Sequence, residues 1–487
     1  MIYILKGHDL RHAAEEMILH LLPTVITEQA ETEPEKGDYC ISKLEIDGQN
    51  AKATAIVKLG DRIEQKSREA ILPNTDELAN KRVLTEIVKL SIYDAILSFL
   101  DKVPEWGSLT GVRPAKLARG MMDRGLTRPQ TAVQFREKFG VSAERTALTM
   151  RAAAHAQSAI DILPENSVSL YIGIPFCPSR CAYCSFVSQS IEKSAGLIPP
   201  YVDAICEEIK RTGEIVAKTN RVLSTVYMGG GTPTTLSPEQ LEKIMTCVKN
   251  SFDMSNLIEY TVEAGRPDTI TSEKMHAIKL GGADRVSINP QTMNDDVLKN
   301  IGRHHNSKQV IEAYEIARKT GFSVINMDTI AGLSGDTPES FENTINTLIN
   351  LNPENITVHT LAIKRGADLY DKEANANQHS SVKKMLDTAS NLLSGAGYGP
   401  YYLYRQKFTA GGFENVGWCK PNTESIYNIA MMEEIQSILS VGAGAVSKLV
   451  DLKTGKITRF VNPKYPKEYM ESGERIILGK QKLFHIF

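Results

Sequence analysis

Three cysteines, Cys177, Cys181 and Cys184, stand close together at a spacing that suits metal chemistry. They follow an apolar run, Val168 to Ile174, that meets Pro175. Proline lacks an amide hydrogen and fixes its own backbone angle, so it ends a strand. The thiols are therefore expected on a loop just past the C-terminal end of a strand, where parallel α/β folds place their chemistry. A structural zinc site wants four ligands, and this loop offers three. Three thiolates can hold a cubane iron–sulfur cluster with its fourth iron left open. The alternatives are chance adjacency, or a zinc site whose fourth ligand comes from elsewhere.

The elements that would position such a loop follow in order. Strand-like runs are Val168–Ile174, Val222–Met228, Ile258–Glu263, Asp284–Ile288, Val324–Ile330 and Ile356–Ile363. Between them lie amphipathic segments: Pro199–Val216, Pro238–Val248, Ser272–Leu280, Lys308–Lys319 and Thr337–Leu351. Repeated strand-then-helix units with short links imply a parallel sheet with right-handed crossovers. The fold class is α/β, read as a curved six-stranded partial barrel. Pattern alone does not separate this from a flat doubly wound sheet.

Each strand end in such a fold should carry something useful. After the second strand comes Gly229-Gly-Gly-Thr-Pro233, where missing Cβ atoms let backbone approach a ligand. The third strand closes on Glu263, a carboxylate that is costly to bury without a partner. The fourth leads to Gln291 and then Arg303, an amide and a planar guanidinium fork suited to a carboxylate. Asp328 ends the fifth strand, where it suits hydroxyl groups, and His359 near the end of the sixth is read as a satisfied core group. The neighbours His304 and His305 are read as solvated loop residues.

The full motif, Tyr171-Ile-Gly-Ile-Pro-Phe-Cys with Cys-Ala-Tyr-Cys184, resembles the cluster loop of the radical SAM enzymes. It looks most like the branch around the oxygen-independent coproporphyrinogen III oxidases. The resemblance spans roughly residues 168 to 365 and implies the (β/α)6 partial barrel. It implies a [4Fe-4S] cluster on Cys177, Cys181 and Cys184, whose open iron takes the amino and carboxylate groups of S-adenosylmethionine. It further implies cofactor-binding roles for Tyr171, Tyr183, Gly230, Gly231, Thr232, Glu263, Gln291, Arg303 and Asp328, with one S-adenosylmethionine or two. Reduction would then cleave a carbon–sulfur bond to give a 5′-deoxyadenosyl radical.

Leu109-Thr-Gly-Val-Arg-Pro114 and Glu414-Asn-Val-Gly-Trp-Cys419 resemble the coproporphyrinogen dehydrogenase-like members of this branch. The implied reaction is oxidative decarboxylation of two propionates of coproporphyrinogen III, with a tetrapyrrole substrate and an unidentified electron donor. Two departures stand out. Established oxidases carry a further cysteine where this chain has Phe186, an aromatic that haem-chaperone relatives share. Haem-chaperone relatives usually carry His-Asn-x-x-Tyr-Trp late in the chain, where this one reads Ser425-Ile-Tyr-Asn-Ile-Ala430. Arg405 and Lys407, beside Tyr401, Tyr402 and Tyr404, are the candidate partners for substrate carboxylates. An aromatic strand packed in the core, with its basic end in water, is the alternative.

The 487 residues suggest two or three domains, and a net charge of −2 gives no field to attract nucleic acid or an anionic membrane. No run approaches the roughly 18 apolar residues of a spanning helix, and the N-terminal apolar stretch is too short for a signal peptide. Seven sparse cysteines argue for a reducing compartment, so a cytoplasmic location is expected. Cys206, Cys247 and Cys419 are read as replaceable, apolar-like groups. Residues 1–165 are expected to form an N-terminal α+β then helical extension, with a strand at Met1–Leu5, a hairpin across Tyr39–Lys58 and a helix over Thr75–Leu100 capped by Asn74. Arg113 and Lys116 there are read as plain surface. Residues 166–365 form the core. Residues 366–487 are read as a smaller C-terminal capping domain with a helix near Met431–Ile438 and another from Pro466.

Overall fold

Six strands lie side by side in chain order, each parallel to the next: Ser167–Ile174, Val222–Gly230, Glu259–Gly265, Arg285–Gln291, Val324–Ala331 and Asn355–Thr360. In this computed structural model the described residues are 1–73, 77–184, 188–362, 376–406, 412–452 and 454–485. Asn74, Phe186, Ile363 and Lys407 lie outside them. A doubly wound sheet turns its strand order back at a switch point, and this one does not. One-way winding with right-handed crossovers keeps the helices on one side and curls the sheet around the other. The edges do not meet, so the barrel is partial.

The helices between the strands begin where their sequences supply caps. Ser237, Thr271, Asn306 and Thr337 each accept a hydrogen bond from the amide three residues on. Each such cap contributes about 1 kcal/mol. Along the strands, Val226, Met228, Val262, Ala264, Val286, Ile288, Ile325, Met327, Ile356 and Val358 are buried. They alternate with Tyr227, Glu263, Ser287, Asn289, Asn326, Asp328, Thr357 and His359, so one face is apolar and the other polar.

The C-terminal segment extends both edges of the same sheet. Glu414–Cys419 runs antiparallel to the sixth barrel strand, with Gly399–Arg405 antiparallel beyond it. At the opposite edge Ser437–Val441 pairs parallel with the first barrel strand, followed by Val446–Val450 and Ile457–Val461. The helix expected at Met431–Ile438 is therefore displaced. A helix runs from Ile426 to Glu433, Glu434 stops it with a left-handed backbone, and Ser437–Val441 is a fully buried strand. A strand buried on both faces carries no alternation, so this apolar run has no strand period to read.

The chain divides into two compact units: Met1–Pro114 with Gly120–Met150, and Ala115–Arg119 with Arg151–Phe487. The first holds a five-stranded sheet in the order Glu28–Gln29, Ile2–Lys6, Tyr39–Asp47, Asn50–Leu59, Arg62–Ile71. The hairpin across Gly48 is as expected, and Gly48 turns it at a φ of 60°. Helices Arg11–Leu21 and Glu77–Leu97 close a core of Tyr3, Met17, Ile18, Val57, Ile92 and Ile96. In the second unit Lys116 is not plain surface: its Nζ donates to Glu434 Oε2 at 2.7 Å. Among the described residues no helix is long and apolar enough to cross a membrane.

Candidate functional site

The cysteine loop starts where Ile174 closes the first barrel strand, and it is tied down on three sides. Toward the second strand, the Gly231 and Thr232 amides donate to the Ile174 and Phe176 carbonyls, both at 2.7 Å. Toward the fourth, the Ala182 amide donates to Ile301 O at 3.0 Å and Ser179 Oγ to Gly302 O at 3.2 Å. Below it, buried Arg266 donates to Ser179 Oγ at 2.6 Å while its other nitrogens grip Asp268 at 3.1 and 2.9 Å. His305 completes this cluster and corrects the solvated reading. It is buried, and burial with the Arg303 charge pushes it down to about 4, so it is neutral.

Cys181 is buried, and Cys177 and Cys184 are half-buried. The glycine segment packs directly on this loop. A Cβ on Gly231 would lie 2.5 Å from Phe176 O and 3.0 Å from Cys177 Sγ, and one on Gly229 would lie 2.8 Å from Glu263 Oε2. Gly231→Ala is therefore expected to displace the loop and weaken binding of a ligand at the barrel mouth about tenfold, about 1.4 kcal/mol. Binding titrations should show this beside a neutral Gly196→Ala control, since a Cβ on Gly196 meets nothing within 4 Å.

The polar faces of the strands make a continuous wall inside the barrel. Tyr227 O–H donates to Glu263 Oε1 at 2.5 Å, and its ring stacks on Tyr427 at 4.5 Å and Tyr171 at 6.3 Å. Asn326 Nδ2 donates to both Asp328 Oδ1 and Ser287 Oγ at 2.7 Å, and Thr357 Oγ1 donates to Asn326 Oδ1 at 3.0 Å. His359 Nε2 lies 3.8 Å from Asp328 Oδ2, so this histidine is a wall residue and not only core. Burial pushes the Glu263 carboxyl up to about 7, with Asp328 adding to the shift and the Tyr227 hydroxyl opposing it. Burial would raise Asp328 too, but His359 and Asn326 outweigh it and hold that carboxyl below its usual range.

At the end of the fourth strand, Gln291 adopts a left-handed φ of 68° and is buried. Its Oε1 has no hydrogen-bond partner among the described residues, and neither has Arg303 Nε. Arg303 is otherwise anchored, donating through Nη1 to Asn289 O at 2.5 Å and through Nη2 to Tyr183 O–H at 3.2 Å. Buried polar atoms left open beside a rigid loop are what a bound polar ligand would satisfy. The residues present therefore fit a thiolate-held cluster with a small polar molecule across Gly230, Gly231, Thr232, Glu263, Gln291, Arg303 and Asp328.

Arg405 is not brought to this group. It is buried, donates through Nε to Gly412 O at 2.7 Å, and faces Glu414 across the ladder. Strand alternation explains this: Tyr402 and Tyr404 stack on each other at 6.3 Å, and both feel the Asp328 charge, so Arg405 points to the other face. Tyr227, Asn326, Thr357, Tyr402, Tyr404 and Tyr427 were not singled out from sequence for this wall. For all but Tyr427, which comes from the helix Ile426–Glu433, the signal was the polar residue at every second strand position.

A cysteine loop at the mouth of a six-stranded partial barrel, over a polar wall, defines a radical SAM protein. The radical SAM superfamily matches residues 171–348. The cofactors are accordingly a [4Fe-4S] cluster and S-adenosylmethionine. The oxygen-independent coproporphyrinogen-III oxidase-like protein HemZ of Bacillus subtilis (strain 168) is 39% identical over 82% of this chain and 81% of its own length. Heme chaperone HemW of the same organism is 38% identical over 57% of this chain and 70% of its own. Among solved structures, coproporphyrinogen III oxidase (HemN) from Escherichia coli matches with a TM-score of 0.51 at 23% identity, covering 66% of this chain and 72% of that one, which supports the fold. The chain belongs to the oxygen-independent coproporphyrinogen-III oxidase-like family of radical SAM proteins.

Proposed function

We propose that this protein is a radical SAM oxidoreductase that converts coproporphyrinogen III to protoporphyrinogen IX by oxidative decarboxylation of two propionates. One observation carries the reading over haem delivery. Where the chaperone branch usually has His-Asn-x-x-Tyr-Trp, this chain has Ser425–Ala430, and Tyr427 of that stretch is buried against Tyr227 in the barrel wall. No histidine is offered there to a haem iron. The similarity to HemW favours the second reading, a haem-binding delivery protein that keeps a cluster.

When bound, the cluster and S-adenosylmethionine supply one-electron cleavage that yields a hydrogen-abstracting 5′-deoxyadenosyl radical. The chain's own residues orient and shield. Gly230 and Gly231 present backbone at the mouth, Glu263 and Asp328 offer carboxylates to ammonium or ribose groups, and Arg303 offers its fork to a carboxylate. The stacked rings of Tyr171, Tyr227 and Tyr427 fill one side of the wall. Each propionate loses a β-hydrogen atom, carbon dioxide and one electron to become a vinyl group. The reading requires a tetrapyrrole substrate, an electron donor to the cluster and an acceptor for the released electron.

Glu263 makes the binding step pH-dependent. Its carboxyl sits near 7 in the free protein, so its share of stability is full below its ordinary value and is lost as pH rises to about 7. A cationic ligand beside it favours the ionised form. S-adenosylmethionine binding is thus expected to release a proton at about pH 6.5 and almost none above about pH 8.5. Calorimetry in two buffers of unequal ionisation enthalpy measures this, and Glu263→Gln should remove the release. An unchanged proton count in that variant would move the effect to another group.

The function itself is tested by anaerobic incubation of the reconstituted protein with S-adenosylmethionine, a reductant and coproporphyrinogen III. Protoporphyrinogen IX with matching 5′-deoxyadenosine supports the oxidase. Stoichiometric haem binding without product supports delivery. Deoxyadenosine without porphyrin turnover points to another substrate.

A further inference from the structure

At the other end of the barrel, three side chains with metal-ligating atoms converge. Cys419 closes the strand Glu414–Cys419, and in register it sits opposite Asn355 and Gly399, the first residues of the strands on either side. It therefore lies at the N-terminal end of the sixth barrel strand, away from the cysteine loop at the C-terminal ends. His155 comes from the helix Ala143–Ile162, and Glu424 from the turn ahead of the helix Ile426–Glu433. Their ligand atoms all lie within 4.8 Å of one another, and His155 Nδ1 is 3.0 Å from Glu424 Oε1.

Ligand atoms about 2.0–2.3 Å from one tetrahedral ion are about 3.3–3.8 Å apart, so small side-chain movements would bring all three to a single centre. The donor set is one sulfur, one imidazole nitrogen and one carboxylate oxygen, a combination that suits zinc and its borderline neighbours rather than calcium or magnesium. Cys419 is buried while His155 and Glu424 are partly exposed, with side-chain exposures of 30% and 20%. The sulfur thus forms the floor, with the other two donors nearer solvent, and a water can complete the set. The neighbouring cations are committed elsewhere. Arg151 lies over the Trp418 ring at 5.9 Å and donates to Ser394 and Tyr398, and Arg285 donates to Asn355 and Thr423. A thiolate and a carboxylate together carry two negative charges, which one divalent ion neutralises.

The geometry points to a second metal site, in which His155, Cys419 and Glu424 hold one borderline divalent ion of the zinc class. It would clip the 151–162 part of the helix Ala143–Ile162 to the end of the strand Glu414–Cys419 and to the turn before Ile426, independently of the cluster.

The test uses the full chain with Cys177, Cys181 and Cys184 changed to alanine, so that no cluster iron competes. Cobalt(II) is titrated in without oxygen and zinc is used to displace it. The expected result is one tight equivalent with a near-ultraviolet thiolate-to-cobalt band that zinc abolishes. Cys419→Ser should remove the band. His155→Asn and Glu424→Gln should each weaken binding beyond the roughly 10–100-fold that outer-shell changes cost. Circular dichroism confirms that each variant is folded, and the His155 and Glu424 variants carry the test if Cys419→Ser is not. No saturable cobalt binding overturns the site. So does a band that survives Cys419→Ser but disappears in Cys206→Ser/Cys247→Ser, which would place the ion on the thiol pair between helices Ile198–Ala217 and Pro238–Ser251.

Discussion

Cys181→Ala protein is expected to emerge from anaerobic reconstitution with almost no acid-labile sulfide and to cleave no S-adenosylmethionine, while keeping its fold. Cys181 is the buried member of the trio, held beside Tyr183 and Arg303 on a loop stitched to three neighbouring segments. A cubane that has lost one of three thiolates exposes a second iron and is labile. The loop itself should survive, because its ties run through backbone amides and through Ser179, Gly302 and Arg266, none of which needs the sulfur. Cys206→Ala and Cys247→Ala lie on outer helices and are expected to retain full iron and sulfide. Iron and sulfide assays with deoxyadenosine quantification check both halves. Wild-type protein carrying zinc and no sulfide in the cysteine pocket would sink the assignment outright.

How much of this was legible beforehand depends on where each side chain's constraint lies. The cysteine spacing, the glycine segment and the apolar runs are local features, and the structure puts them on one barrel mouth in the expected order. The polar wall was harder. Val286 and Ile288 make their strand read as apolar, yet Ser287 between them and Asn289 after them face inward, the alternation of a curved sheet enclosing a polar interior. Arg62–Ile71 does not read as a strand because none of its residues is buried and most are charged or polar, as an edge strand permits. His305 looked like half of a solvated pair, but Arg266 and Asp268 from a different strand end enclose it. Burial of that kind is set by residues far apart in sequence. Of the C-terminal strands only the aromatic Tyr401–Tyr404 is legible in the sequence; Ser437–Val441 reads as the end of a helix, and the attachment of these strands to the two barrel edges is not legible, since pairing partners leave no local trace.

A buried ion pair far from the chemistry should govern the stability of the first barrel strand's end. Lys480 is fully buried, with Nζ 2.7 Å from Glu208 Oε1 and 2.9 Å from Thr212 Oγ1. Glu208 in turn accepts from the Gly442 amide at 2.8 Å, Asn462 Nδ2 at 2.8 Å and Tyr469 O–H at 2.5 Å. Tyr201 links this knot to the site, donating to Gly173 O and accepting from the Ala443 amide. Gly173 immediately precedes Ile174, from which the cysteine loop departs. Lys480→Ala leaves the buried Glu208 side chain without its cationic partner, and is expected to destabilise the chain by about 3–5 kcal/mol. Glu208→Gln with Lys480→Met removes both charges and keeps the volume, so it should cost much less than the two single changes added together, a coupling of 0.5–3 kcal/mol or so by denaturant titration. Additive effects would show that the network is solvated and does not buttress the strand. The Lys480→Ala protein should also reconstitute less cluster at 37 °C than at lower temperature, because the segment that loosens first carries the end of the strand that launches Cys177.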